Sequence, residues 1–290
     1  MEMLDFFVYN EGTKSEGGGP MALTDAQLER YSRHLILKQV GVKGQKKLLA
    51  SKVLVIGAGG LGCPVLLYLA AAGVGTIGIA DGDVVSLSNL QRQVLYTTDE
   101  VGQPKVACAK RRLSAMNPDV TFETYEEYLT PENILDVIAP YDIVVDCVDS
   151  FAAKYLINDA CVMAKKPFVH GGILGFSGQA LTVLPPETAC FRCFFRDPPP
   201  KEVAPTCAEA GVIGVIPGLL GSIQATEVIK YLTGVGTLLT NTLLVIHADD
   251  MEFARLELPE KDETCPVCGK SPTITTLQMA DEEACEVRGR

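Results

Sequence analysis

The stretch from Lys52 to Asp83, KVLVIGAGGLGCPVLLYLAAAGVGTIGIADGD, limits what this chain can become more than any other. Lys52 to Ile56 reads as a buried strand, Gly57, Gly59, Gly60 and Gly62 turn the chain, and an apolar run continues as a helix. A second strand, Thr76 to Ala80, then delivers Asp81, 19 residues past Gly62, the spacing at which a carboxylate reaches ribose hydroxyls. Glycines suit the turn because a Cβ would hold the backbone away from phosphates, while free N–H groups at a helix start attract an anion. The stretch predicts nucleotide binding without saying which nucleotide.

The flanking chain repeats this alternation. Thr24 and Gln27 form a capping box that opens a helix expected to run to Gly41. Asp81 to Thr98 reads as a loop, Gln103 to Met116 as a helix stopped by Asn117-Pro118, and Val120 to Glu127 as a strand. Thr130-Pro131 caps another helix, Asp142 to Val148 is a buried strand ending at Asp149, and Phe151 to Lys165 is a helix before a strand at Phe168 to His170. Further strands are expected at Gln179 to Leu184 and Thr242 to Ala248, with a helix from about Leu219 to Leu232 and an irregular insertion over Pro185 to Gly211. Strands alternating with helices imply an α/β fold, Rossmann-like and doubly wound, whose ligand sits off the carboxyl ends of a mostly parallel sheet with additional antiparallel strands. The domain reading is a flexible leader over residues 1 to 20 and a single domain over residues 21 to 290.

A net charge of −11 argues against a nucleic-acid or anionic-membrane surface, so an anionic ligand needs a local basic cluster. The least polar stretch, Ala210 to Thr226, is broken by glycines and Pro217 and is too short to span a bilayer comfortably. With no signal peptide pattern, the ten cysteines are expected in a reducing cytoplasm, where metal binding or thiol chemistry outranks disulfides. Cys190-x-x-Cys193 and Cys265-Pro-Val-Cys268-Gly are two such pairs, 71 residues apart, suited to a closed tetrahedral Zn2+ site that pins the tail to the insertion. Four cysteines leave no open coordination position, so that zinc is structural. The cations Arg92 and Lys105, with Asn89 and Asp149, surround the nucleotide crevice in this topology and suit phosphate chemistry better than hydride transfer.

The runs GAGGLG at 57 to 62, GIADGDVVSLSNLQRQ, QPKVACAK from Gln103, YLINDAC at 155 to 161 and the CPVCGKSPTIT tail resemble the MoeB/ThiF/HesA family of adenylyltransferases, bacterial relatives of ubiquitin-activating enzymes. The resemblance covers about Leu23 to Leu277. It implies ATP-dependent adenylation of the C-terminal glycine of a small ubiquitin-like sulfur carrier of the MoaD or ThiS type, releasing pyrophosphate before thiocarboxylate formation, with molybdopterin, thiamin or another sulfur-bearing product downstream. By the same resemblance Asp81 holds the ribose, Asn89, Arg92 and Lys105 the phosphates, and Asp149 the Mg2+. Arg33 in YSRH matches an arginine that reaches the neighbouring subunit's phosphates, which implies a homodimer, and Cys207 matches a loop cysteine that forms a covalent intermediate in some members. Sulfur is expected from a separate sulfurtransferase. Ser150 stands where many relatives carry asparagine, and His34, His170 and His247 form no cluster and are expected to be structural.

Two other readings compete. A NAD-dependent Rossmann oxidoreductase would share the glycine turn and Asp81 but needs an acid-base group for hydride transfer that the sequence does not offer. A non-catalytic scaffold for ubiquitin-like tails would have no use for Arg92, Lys105 and Asp149. Gly17-Gly18-Gly19 in the leader resembles a glycine-ended tail, although Pro20 and the chain beyond it block a free carboxylate.

Overall fold

A computed structural model of the chain describes residues 22–198, 211–257 and 260–279. The leader, with its three glycines, and Cys207 lie outside the described residues. Among those described, eight strands form one sheet in the order β3-β2-β1-β4-β5-β6-β7-β8. They are β1 Lys52–Ile56, β2 Thr76–Ala80, β3 Thr121–Tyr125, β4 Ile143–Asp146, β5 Phe168–Leu174, β6 Ser177–Val183, β7 Thr242–His247 and β8 Glu252–Glu257. Pairing is parallel from β3 through β5 and antiparallel from β5 through β8.

Both faces of the central strands β1, β2 and β4 are covered, which is why they are largely apolar and buried. Val53 and Val55 of β1 point into one core with Ile143 and Val145 of β4, while Leu54, Ile56 and Val144 point into the opposite one. Helices α4 (Gly62–Ala72), α5 (Lys105–Met116) and α9 (Val215–Thr233) supply the first core, and α6 (Ile134–Ile138) and α7 (Phe151–Met163) the second. Each fully buried branched side chain contributes about 1.5–3 kcal/mol.

The structure corrects three boundaries. Thr24 to Gly41 is not one helix: the chain forms α1 (Asp25–Arg30) and α2 (Ser32–Leu35), then α3 (Gly41–Ala50). The break falls at Tyr31, which is fully buried, accepts a hydrogen bond from Asn117 Nδ2 at 3.0 Å and fills the space beside Gly73. Burying that ring outweighs continuing an exposed helix. The strand expected to reach Val148 ends at Asp146, so Asp149 stands in a loop and not at a strand terminus. The helix expected from Leu219 begins at Val215. Among its described residues the insertion is irregular apart from α8 (Phe191–Phe194), and β8 is a strand that Glu252–Glu257 does not advertise, being mostly exposed at the sheet edge.

The order 3-2-1-4 reverses direction between β1 and β4, and a crevice opens there. The two loops bounding it are pressed together: a Cβ on Gly57 (φ +92°) would lie 2.8 Å from the Cys147 carbonyl oxygen, and one on Gly62 only 2.0 Å from that of Gly57. Neither neighbour is a side chain that can swing away. Gly62→Ala is therefore expected to destabilise the fold by about 3 kcal/mol or more, read from the urea midpoint; an unchanged midpoint would show that the turn can relax.

Candidate active site

The crevice is a cleft of about 950 Å3 whose walls include Gly57, Gly59, Gly60, Asp81, Arg92 and Lys105 on one side and the loop Cys147 to Ser150 on the other. At the turn, the Ala58 N–H donates to Asp81 Oδ2 at 2.7 Å and the Tyr96 hydroxyl donates to the Ala58 carbonyl at 2.7 Å. The N–H groups of Gly59, Gly60 and Leu61 donate to nothing within the described residues and stand at the start of α4, an open anion-binding end.

Asp81 closes the carboxyl end of β2. Its Oδ1 accepts the Asp83 N–H at 2.8 Å, so both oxygens already hold a backbone donor. Burial pushes its carboxyl above the usual range, against the pull of Lys105 and these N–H groups. Lys105, buried at the first position of α5, bonds Asp83 Oδ2 at 2.7 Å and lies 3.9 Å from Asp81 Oδ2. Asp83 is held below its ordinary value: its partial burial acts upward, but Lys105 and the Tyr128 hydroxyl, which donates to Oδ1, outweigh it. That bond to Asp83, with partial burial, pushes the Tyr128 phenol up to about 12. An ammonium at a helix N-terminus is thus stabilised by two carboxylates, and its remaining N–H donors are available to an anion in the cleft.

The opposite wall rests on a buried ionic group. Asp146 Oδ2 meets His170 Nδ1 at 2.7 Å, and Lys154 Nζ lies 3.3 Å from both Asp146 oxygens and 2.5 Å from the Gly171 carbonyl. Burial raises the Asp146 carboxyl, but Lys154 and His170 overcome it and hold it low. Burial likewise pushes the His170 imidazole down. Asp146 Oδ1 also takes the Val148 N–H at 3.2 Å, which fixes the loop that carries Asp149. Ser150 then caps α7, accepting the Ala153 N–H at 3.2 Å, so the residue that departs from the relatives' asparagine has a structural task.

The expected residues do not all gather here. Gly57, Gly59, Gly60, Asp81, Arg92, Lys105 and Asp149 line the cleft. Gly62 lies behind it in α4. Asn89 ends a 3-10 turn, and its carbonyl accepts the Arg92 and Gln93 N–H groups at 3.0 and 2.9 Å, so it shapes the loop and does not line the cleft. Arg33 is exposed on α2, away from the cleft of its own chain, beside exposed Ile36 and Leu37. The sequence reading missed Asp83, Gln93 and Tyr128; Asp83 was within reach as the second acid of DGD, whereas Tyr128 enters only through the fold. His34 bonds Gln45 and His247 pairs with Ser177, and neither histidine is among the residues lining the cleft.

Asp149, exposed on the cleft wall and with no hydrogen-bond partner among the described residues, fits a Mg2+ held by one carboxylate with phosphate and water. The zinc expectation has firmer geometry. Cys190, Cys193, Cys265 and Cys268 bring their sulfurs within 4.8 Å of one another, with separations of 4.0, 3.6 and 3.4 Å. A tetrahedron of 2.3 Å Zn–S bonds has edges of about 3.8 Å. A hydrogen bond from Cys190 holds the Cys193 thiol below its ordinary value. Gly269 has no room for a Cβ, which would lie 2.5 Å from the Cys265 carbonyl, so the knuckle requires glycine there. Arg192, between the first two cysteines, forks onto Asp159 of α7 at 2.7 and 2.8 Å and ties the cluster to the core. The purified protein is expected to carry about one zinc per chain and to lose about 5–10 °C of Tm on chelation; metal analysis and a melting curve check both, and an unaltered Tm would remove the structural role.

Residues 31–267 match the ThiF family. The chain is 47% identical to the sulfur carrier protein adenylyltransferase of Thermus thermophilus over 274 residues, 92% of this chain and 100% of that protein. It is 44% identical to the SAMP-activating enzyme E1 of Haloferax volcanii, covering 92% of this chain and 98% of that one. Against the adenylyltransferase and sulfurtransferase MOCS3 of Anopheles gambiae it is 44% identical over 92% of this chain, spanning 60% of the longer protein. Among solved structures, that of E. coli MccB with MccA-N7isoASN superposes with a TM-score of 0.74 at 25% identity, covering 83% of this chain and 74% of that one.

Proposed function

The chain belongs to the ThiF family, and from that premise we propose that it is an adenylyltransferase that activates the C-terminal carboxylate of a small ubiquitin-like sulfur carrier with ATP. The observation that carries the reading is one cleft presenting three open backbone N–H groups, Arg92 and Lys105 on one wall and an unpaired carboxylate, Asp149, on the other. This is a site for positioning anions. Hydride transfer would instead require an acid-base group facing the substrate.

The reaction needs little proton transfer, because the nucleophile is already a carboxylate. Its oxygen attacks the α-phosphorus, the bond to the β-phosphate oxygen breaks, and pyrophosphate leaves with the electron pair. The glycine turn receives phosphoryl oxygens. Asp81, both oxygens of which retain a lone pair beyond their backbone bonds, takes the ribose. Lys105 and Arg92 offset charge accumulating on the pyrophosphate. Mg2+, when held by Asp149, would neutralise the phosphate charge that otherwise repels the incoming carboxylate. Leu174, Val212 and Val245 also line this cleft and offer apolar wall to the tail that brings the carboxylate.

Arg92→Ala is expected to lower ATP–pyrophosphate exchange by about 10²–10³ with the fold intact. Lys105→Ala should do the same but also destabilise, since it leaves Asp81 buried beside Asp83 without a cation. Near-normal exchange in Arg92→Ala, with the carrier present, would sink the assignment.

Arg33, which cannot serve its own cleft from α2, serves that of a second copy in a homodimer, and exposed Ile36 and Leu37 beside it are apolar surface for such a contact. A mixture of Arg33→Ala and Arg92→Ala chains, each inactive alone, should then regain about a quarter of wild-type exchange, because half the dimers are mixed and one site in each is intact. No regain on mixing would place Arg33 outside the reaction. No described helix is long and apolar enough to cross a membrane. A reducing cytoplasm suits the four thiols that the zinc needs, and a separate sulfurtransferase is the source of sulfur on this reading.

A further inference from the structure

Gln93 is buried in the cleft wall, and among the described residues its side-chain amide has no hydrogen-bond partner. The residue is 4% exposed, and its Oε1 is the single buried side-chain nitrogen or oxygen without a partner among the described residues. The Nε2 end forms no hydrogen bond there either. Leaving a buried amide unpaired is costly, and a leucine would fill the same volume without that cost. An amide kept in such a place is matched to something that arrives.

Its position says what. The Gln93 backbone is fixed by its N–H on the Asn89 carbonyl at 2.9 Å and by its carbonyl accepting from the Tyr96 N–H at 3.1 Å. Its Nε2 comes to 3.5 Å from where a Cβ on Gly59 would stand, so the amide borders the turn whose N–H groups are open. Arg92 precedes it in the chain and lines the same cleft. We propose that Gln93 contacts the nucleotide directly, its NH2 donating to a phosphate oxygen and its carbonyl accepting an O–H carried by the same ligand. That O–H is a ribose hydroxyl or a water on the magnesium. The assignment rests on the nucleotide reading above.

The test is calorimetric titration of MgATP into the full chain, wild type against Gln93→Leu and Gln93→Glu, with a melting curve for each. Gln93→Leu is expected to bind about tenfold more weakly, the worth of one good hydrogen bond, while its Tm stays level or rises because the orphaned amide is gone. Gln93→Glu keeps the shape but opposes the phosphates, and should bind more weakly still. If the O–H is the ribose's, the Gln93→Leu penalty shrinks with 2′- or 3′-deoxyATP; if it belongs to the metal-bound water, the magnesium dependence of binding shifts instead. Gln93→Leu binding MgATP within twofold of wild type would overturn the assignment and leave the adenylyltransferase reading standing. A Tm that falls together with binding would make Gln93 structural and equally overturn it. A wild-type chain that does not bind MgATP would overturn both readings.

Discussion

Two backbone segments touch where β1 turns into α4, with no room for a side chain between them. The carbonyl of Gly57 occupies the place where a Cβ on Gly62 would stand, and the Cys147 carbonyl the place where one on Gly57 would. This double contact brings the end of β1 against the loop after β4 and so defines the crevice at the reversal of strand order. Everything catalytic in the proposal is within reach of that contact. The open N–H groups are its immediate continuation, and Asp81 is tied to it through Ala58.

Around the contact, charge is distributed so that the buried ions of both walls, Lys105 and Asp146, are compensated. Lys105 sits between Asp81 and Asp83, the second of which Tyr128 also holds. Asp146 sits between Lys154 and His170 beneath the opposite loop. Burying such groups costs several kcal/mol per ion unless they are paired, and the pairing has a geometric effect as well. Lys105 and the Asp149 loop are placed before any ligand arrives. The cleft pays in advance for orientation, which is the main requirement of a reaction between two anions. The cysteine cluster lies outside this machinery and works differently, fastening the last described segment to the insertion next to α7.

Where sequence reasoning went astray, a tertiary contact had outweighed a local preference. The capping box at Thr24 does start a helix, and periodicity favours continuing it, but Tyr31 is worth more inside the core than on an exposed helix face. Ile143 to Val148 is apolar except for Asp146, which favours a strand running up to Asp149; the strand stops early, where Asp146 turns its carboxyl inward to His170 and Lys154.

The sequence by itself determined the alternation of strands and helices, the glycine turn with Asp81, the pair of cations and the two cysteine knuckles. Each of these is local: a period, a spacing or a backbone requirement confined to a few neighbouring residues. The tertiary structure alone decided that Lys105 stands between two aspartates, that Tyr128 covers one of them, that Arg33 is exposed and not among the residues lining its own cleft, and that Gln93 Oε1 is buried without a partner among the described residues. Those facts depend on which residues far apart in the chain share a wall, and on whether a polar atom finds a partner there. No periodicity encodes either, because both are settled only when the two loops close on each other at Gly57 and Gly62.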